Sequence, residues 1–124
     1  MAIKGEFLGK IIPVVNDSQA VIEPYRVLTY NAGKISKAAS NSTFYVGVSS
    51  YNNLYGTDGE TPDGEVIDVV IDGVAYIVSA TDITEVGTEV YAANDGKVDI
   101  EGSLKVGIAL TTAELDGLVL VLLK

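Results

Sequence analysis

The 124-residue chain contains no cysteine and no histidine. Without cysteine the fold cannot rest on a disulfide, and thiolate zinc sites are excluded. Without histidine the usual general base and commonest metal ligand is missing, and with it the Ser-His and Cys-His pairs of nucleophilic catalysis. Any enzyme built from this sequence would run on carboxylates, lysine or tyrosine. Basic residues are scarce as well. Eight lysines and arginines stand against 17 acidic residues, and the net charge of −9 repels phosphate backbones and anionic lipid, so neither nucleic acid nor membrane is an expected partner. The longest apolar run, Leu118 to Leu123, is too short to span a bilayer, and residues 1 to 10 hold no signal-peptide core. A soluble protein made in the cytoplasm is expected.

What is present is β-forming. Hydrophobic residues make up 48% of the chain and charged residues 20%, which is too apolar for disorder, and 13 glycines imply many turns. Residues 1 to 10 show no clean period and read as an N-terminal arm, followed by a single β domain over residues 11 to 124. Ile11 to Val15 is a β-branched strand closed by Asn16-Asp17-Ser18. Pro13 inside it cannot donate to a ladder, so the strand is an edge or turns that position outward. Further strands are predicted at Arg26 to Tyr30, Lys34 to Lys37, Thr43 to Ser49, Glu65 to Asp72, Val74 to Val78, Glu89 to Ala93, Lys97 to Ile100 and Leu104 to Leu110. Gly47, within a strand, marks a bulge or a close backbone approach. Asp72-Gly73 reads as a hairpin turn joining its two flanking strands. The uninterrupted Leu118 to Leu123 strand is expected in the middle of the core, covered on both faces.

One stretch returns. Val27-Leu-Thr-Tyr-Asn-Ala-Gly-Lys-Ile35 reappears as Val90-Tyr-Ala-Ala-Asn-Asp-Gly-Lys-Val98, each a strand entering a glycine turn and leaving through lysine and a β-branched residue. An offset of 63 residues places Val15 on Val78, Val27 on Val90, Asn31 on Asn94 and Gly33 on Gly96. Looser matches follow, Tyr45-Val-Gly-Val48 with Lys105-Val-Gly-Ile108 and Gly64-Glu-Val-Ile67 with Gly117-Leu-Val-Leu120. The expected architecture is therefore all-β, a compact antiparallel barrel or sandwich of two similar halves, about 11–72 and 73–124. Residues 50 to 63 exceed their counterpart at 111 to 116, so this longest loop is not required by the fold and becomes a candidate contact surface.

Candidate chemistry is thin. The acidic stretch Asp58 to Glu65 has oxygen ligands for Ca²⁺, but its spacing is not that of a calcium loop and Pro62 stiffens it, which favours a solvated turn. Asp68 and Asp72 share a strand face and could be imagined as a hydrolytic pair, yet outward polar positions on a sheet explain them. No metal, cofactor or catalytic site is assigned. Tyr51 and Tyr55, flanked by Asn52 and Asn53, are candidates for a sugar-stacking or protein-docking surface, with protein contact preferred over sugar and plain loop packing as the competing structural reading. Ile3, Phe7 and Leu8 are the arm's apolar groups, and Phe7 and Leu8 either tuck onto the protein's own core or dock on a partner.

The order and spacing of Gly64-Glu-Val-Ile-Asp-Val, Gly73-Val-Ala-Tyr-Ile-Val, Val86-Gly-Thr-Glu-Val-Tyr-Ala, Asp95-Gly-Lys-Val, Lys105-Val-Gly-Ile-Ala-Leu and Gly117-Leu-Val-Leu-Val-Leu-Leu resemble the capsid cement, or head decoration, proteins of tailed bacteriophages. The amino-terminal half fits more loosely. The resemblance implies a structural protein without catalysis that binds the outer surface of the assembled head, often as a homotrimer, and clamps neighbouring major capsid protein subunits. It also implies an arm that joins the capsid lattice, giving Ile3, Phe7 and Leu8 a partner. The 50 to 63 loop is longer than the family's version. The alternative reading is a carbohydrate-binding β module of a phage tail or surface protein, served by Tyr51 and Tyr55.

Overall fold

The computed structural model describes residues 10–52, 54 and 58–124. Among these residues ten strands follow in order: β1 (Ile11–Val15), β2 (Val27–Asn31), β3 (Lys34–Lys37), β4 (Gly47–Ser49), β5 (Val66–Val70), β6 (Val74–Val78), β7 (Glu89–Ala92), β8 (Val98–Asp99), β9 (Lys105–Ala109) and β10 (Leu118–Leu123). They form two five-stranded antiparallel sheets packed as a sandwich, and no α-helix occurs among the described residues. The first sheet has the order β1-β5-β4-β2-β3 and the second β6-β10-β9-β7-β8. Strand for strand these are the same order, so the duplication read from the turns is a duplication of topology.

The equivalence reaches individual residues. Asn16 and Ser79 are both fully buried just past the first strand of each sheet. The Asn16 amide donates to the Glu65 carbonyl (2.7 Å) and its carbonyl accepts from Gly64 (2.7 Å), as the Ser79 amide does to Gly117 (2.8 Å) and its carbonyl from Asp116 (2.8 Å). Gly64 (φ +87°) therefore corresponds to Asp116 (φ +64°), one residue before the glycine that sequence matching chose. An aspartate tolerates the left-handed region well enough to stand where glycine stands in the other copy. A second shift lies in β2 and β7. Leu28 pairs with Gly47 and Val90 with Gly107, so Val90 matches Leu28 rather than Val27. The extra residue sits in the turn, since Tyr30 pairs with Ile35 but Ala92 with Val98.

Gly47 and Gly107 explain themselves by close approach. A Cβ on Gly47 would strike the Val70 carbonyl oxygen, and one on Gly107 the Leu122 carbonyl oxygen, each on the neighbouring strand. Pro13 meets both of its sequence expectations, being exposed on the edge strand β1 opposite Asp68.

The core divides by strand pleat. Val27, Val48 and Val70 of the first sheet join Ile77, Val90, Val119 and Val121 of the second in one apolar cluster. Leu28, Ile67 and Val69 point to the opposite face, where they cluster with Ile22 and Ile35. Ile22 reaches that face through a backbone bridge to Thr61. The first sheet is thus covered on both sides, which is why Val27-Leu28 and Val69-Val70 are apolar at consecutive positions.

Two expectations are corrected. Strand β10 lies inside its sheet, between β6 and β9, but only Val119, Val121 and Leu123 are buried, and Leu118 is 43% exposed. Its six apolar residues report one buried face and one half-covered face, because the second sheet packs on the first through a single side. Asp72-Gly73 makes no hairpin: β5 and β6 belong to different sheets, and the step is the crossover between them. A positive φ at Gly73 (+90°) reverses the chain, but which strand it then joins depends on the sheet that offers a free edge.

The second copy of the recurrent turn fastens the two sheets. Gly96 donates to the Ala38 carbonyl (2.8 Å) and Asn94 Oδ1 accepts from the Ser40 amide (3.0 Å). Asp95 receives Arg26 Nη1 (2.8 Å) and Lys37 Nζ (2.6 Å), and Lys37 also meets Glu23 Oε1 (2.7 Å). The lysine hydrogen bond to Asp95 holds that carboxyl below its ordinary value, against a smaller opposing effect of burial. For Glu23 burial pushes upward, but Lys37 and Arg26 together outweigh it and the carboxyl is lowered.

Candidate functional site

A groove of about 290 Å³ opens at the seam between the sheets. Ile11, Val70 and Val74 contribute apolar lining, and Tyr25, Tyr51 and Tyr76 stand around it. Each tyrosine arrives by a different route. Tyr76 alternates outward on β6, between the buried Ala75 and Ile77, and is 46% exposed. Tyr51 follows β4 at the start of the long loop and is 47% exposed. Its ring lies over Gly59, where any Cβ would collide with it. Tyr25 precedes β2 in the left-handed region, φ +65°, an unusual place for an aromatic residue.

Tyr25 is held there from both sides. Its amide donates to the Ser49 carbonyl (2.8 Å), and its carbonyl accepts from Val78 (3.0 Å) across the seam. The ring centroids of Tyr25 and Tyr51 are 6.3 Å apart at 37°. Burial, with Tyr51 and Tyr76 nearby, raises the Tyr25 phenol above its ordinary value, so its hydroxyl stays a neutral donor beside the apolar lining. On the other side of Tyr51 a second depression of about 340 Å³ is lined by Leu54, Val66 and Asp68. Leu54 is 80% exposed, and Val15 and Val66, paired across β1 and β5, are exposed as well. Tyr51 stands in the middle of an apolar surface zone.

The sequence candidates separate. Tyr51 is in the groove, joined by Tyr25 and Tyr76, which sequence reasoning missed. Alternation along Val74 to Val78 could have placed Tyr76 outward, but nothing local announces that it faces Tyr51. Asn52 has its side chain inside the loop: Nδ2 donates to Thr61 Oγ1 (2.9 Å) and the Val66 carbonyl (3.3 Å), while Oδ1 accepts from Leu54 (2.8 Å). It shapes the loop that carries Tyr51. Ile3, Phe7, Leu8, Asn53 and Tyr55 lie outside the described residues.

Other concave and charged places offer less. A wider depression, about 860 Å³, is a broad open dish over the Ile83 to Ala113 bridge, bordered by Asp82, Thr84 and Glu114. Asp63 Oδ1 accepts from the Gln19 amide (2.8 Å), a turn contact. Among the described residues no three acidic side chains converge as a metal site.

No protein-family model matches the chain, and no curated protein matches it. Among solved structures, the N base of head fiber gp8.5 of bacteriophage phi29 superimposes with a TM-score of 0.71 at 20% identity, over 93% of this chain and 95% of that one. At that identity the likeness is one of fold: the two chains share the two-sheet sandwich described above.

Proposed function

We propose that this chain is a structural protein of a phage virion, seated on the outer surface of the assembled head as a decoration or cement protein. The observation that carries the reading is the fold likeness to a head-fiber base over nearly the whole of both chains. The sequence resemblance to cement proteins points the same way from different data. The partner is the major capsid protein, and the contact surface is the tyrosine groove with Tyr51, Tyr25 and Tyr76 at its centre. Tyrosines suit such a role because they combine apolar area with a polar tip at little entropic cost. Ile3, Phe7 and Leu8 add the arm to the contact. The protein acts as a homo-oligomer, a trimer by preference, so that weak individual contacts multiply into avidity. It has no catalytic task.

The test is co-sedimentation of the folded protein with undecorated heads, comparing expanded shells with unexpanded procapsids. Saturable binding to expanded shells alone is expected. Absence of binding to either form overturns the proposal. The groove also suits a second reading, a carbohydrate-binding module, because three tyrosine rings can stack on sugar faces. A shift of tyrosine fluorescence on adding host polysaccharide, without shell binding, would select it.

A further inference from the structure

Five Asp-Gly steps occur in the chain, at Asp58, Asp63, Asp72, Asp95 and Asp116. Glycine offers the least hindered amide nitrogen for attack on a preceding aspartate side chain, so each step is open in principle to succinimide formation. In the fold, three of them are tied twice. The amides of Gly64, Gly96 and Gly117 donate to the carbonyls of Asn16 (2.7 Å), Ala38 (2.8 Å) and Glu114 (2.8 Å). The matching carboxylates are held by the Gln19 amide, by Arg26 and Lys37, and by Lys97. At Asp72 the arrangement differs. The Gly73 amide donates to Asp72 Oδ1 itself, at 2.9 Å, which sets the nucleophilic nitrogen against the carboxyl group it would attack. Asp58 adjoins residues outside the described set.

We infer that Asp72-Gly73 is a site of spontaneous isoaspartate formation. The Gly73 nitrogen forms a bond to Cγ of the protonated Asp72 carboxyl, the Cγ–OH bond breaks, and the hydroxyl leaves with the amide proton as water. The succinimide then takes up one water. Opening at Cγ restores aspartate, and opening at the former main-chain carbonyl routes the backbone through the side chain, with no net change in mass. No cofactor or oxidant takes part. The place matters because this step is the peptide connection between the two sheets. The Asp72 carbonyl accepts from Lys10 (3.2 Å) and the Gly73 carbonyl from Leu123 (2.9 Å). An added methylene between them shifts one bond relative to the other, so isomerisation loosens the joint from which β1, β6 and the groove are positioned.

The test is ageing of the intact folded protein at neutral pH and body temperature, with isoaspartate mapped by electron-transfer fragmentation. Accumulation at 72 is expected roughly tenfold faster than at 63, 95 or 116, the factor that retained hydrogen bonds at those steps supply. In denaturant the difference should collapse. Asp72→Glu, which keeps the charge and disfavours ring closure, should remove both the signal and the fall in unfolding temperature on ageing. Equal rates at the four steps in the folded protein, or an unmodified Asp72 while the denatured chain isomerises there, would overturn the inference.

Discussion

Tyr25 occupies a backbone region that costs a bulky residue on the order of 1–3 kcal/mol, and such strain persists only where the surroundings over-determine it. Here two backbone hydrogen bonds, to Ser49 and from Val78, do so. The consequence is a ring set beside Tyr51 at the mouth of the groove. Neither Tyr51 nor Tyr76 is needed for the core, since both are about half exposed. Tyr51→Ala and Tyr76→Ala should therefore each weaken binding to expanded shells by at least about tenfold, as central aromatic contacts do. Their unfolding temperatures should stay within a few degrees of the parent. Calorimetry beside co-sedimentation separates the two effects, and unchanged shell binding in both variants would remove the groove from the interface.

At the scale of elements, the two copies of the glycine turn have the same local chemistry and different surroundings. Ala32 (φ +53°) and Gly33 (φ +80°) form a two-residue reversal between Asn31 and Lys34, and a Cβ on Gly33 would meet nothing within 4 Å. Gly96 (φ +70°) is pressed against the first sheet, where an added Cβ would lie 2.8 Å from the Val27 carbonyl oxygen and 2.9 Å from Arg26 Cβ. Gly33→Ala should cost about 1 kcal/mol, the conformational penalty alone. Gly96→Ala should cost about 3 kcal/mol, because steric displacement of the seam adds to that penalty. Urea denaturation of both variants measures the difference. Equal losses would mean that the second turn is not the fastening it is taken to be.

For the whole molecule, the charged knot of Glu23, Arg26, Lys37 and Asp95 crosses from one sheet to the other. Asp95 and Glu23 are both lowered in the folded state from ordinary values of 3.8 and 4.5. Their contribution to stability is complete above those values and is lost as pH falls through the lower folded ones. Lys37 is raised above 10.5: burial works downward, but hydrogen bonds to Asp95 and Glu23 prevail, so its contribution is present below that value and lost only in strong base. Unfolding temperature followed from about pH 7 to about pH 3 should fall steeply over the last unit and a half. Asp95→Asn, which keeps a side chain tolerant of positive φ, should start lower at neutral pH and fall less steeply. An unchanged acid limb in that variant would show that the knot does not couple the sheets. Both carboxylates are partly exposed, so salt should reduce the effect.

The sequence by itself determined what is local. Period-two alternation and β-branched runs placed most of the ten strands, glycine and Asn/Asp turns marked the reversals, and the recurrence of Asn-x-Gly-Lys announced a doubled topology. All of these depend on a residue and its near neighbours. The missing cysteine and histidine narrowed the chemistry in the same direct way. Tertiary structure alone decided the pairing. It made Asp72-Gly73 a crossover instead of a hairpin, buried both faces of the first sheet but one of β10, and turned the Asn94 turn into a fastening while leaving the Asn31 turn free. It also gathered Tyr25, Tyr51 and Tyr76 from three segments into one groove. The reason is physical: alternation tells which side chains share a face, but which faces meet is set by shape and burial across long sequence separations, and no turn signal carries that information.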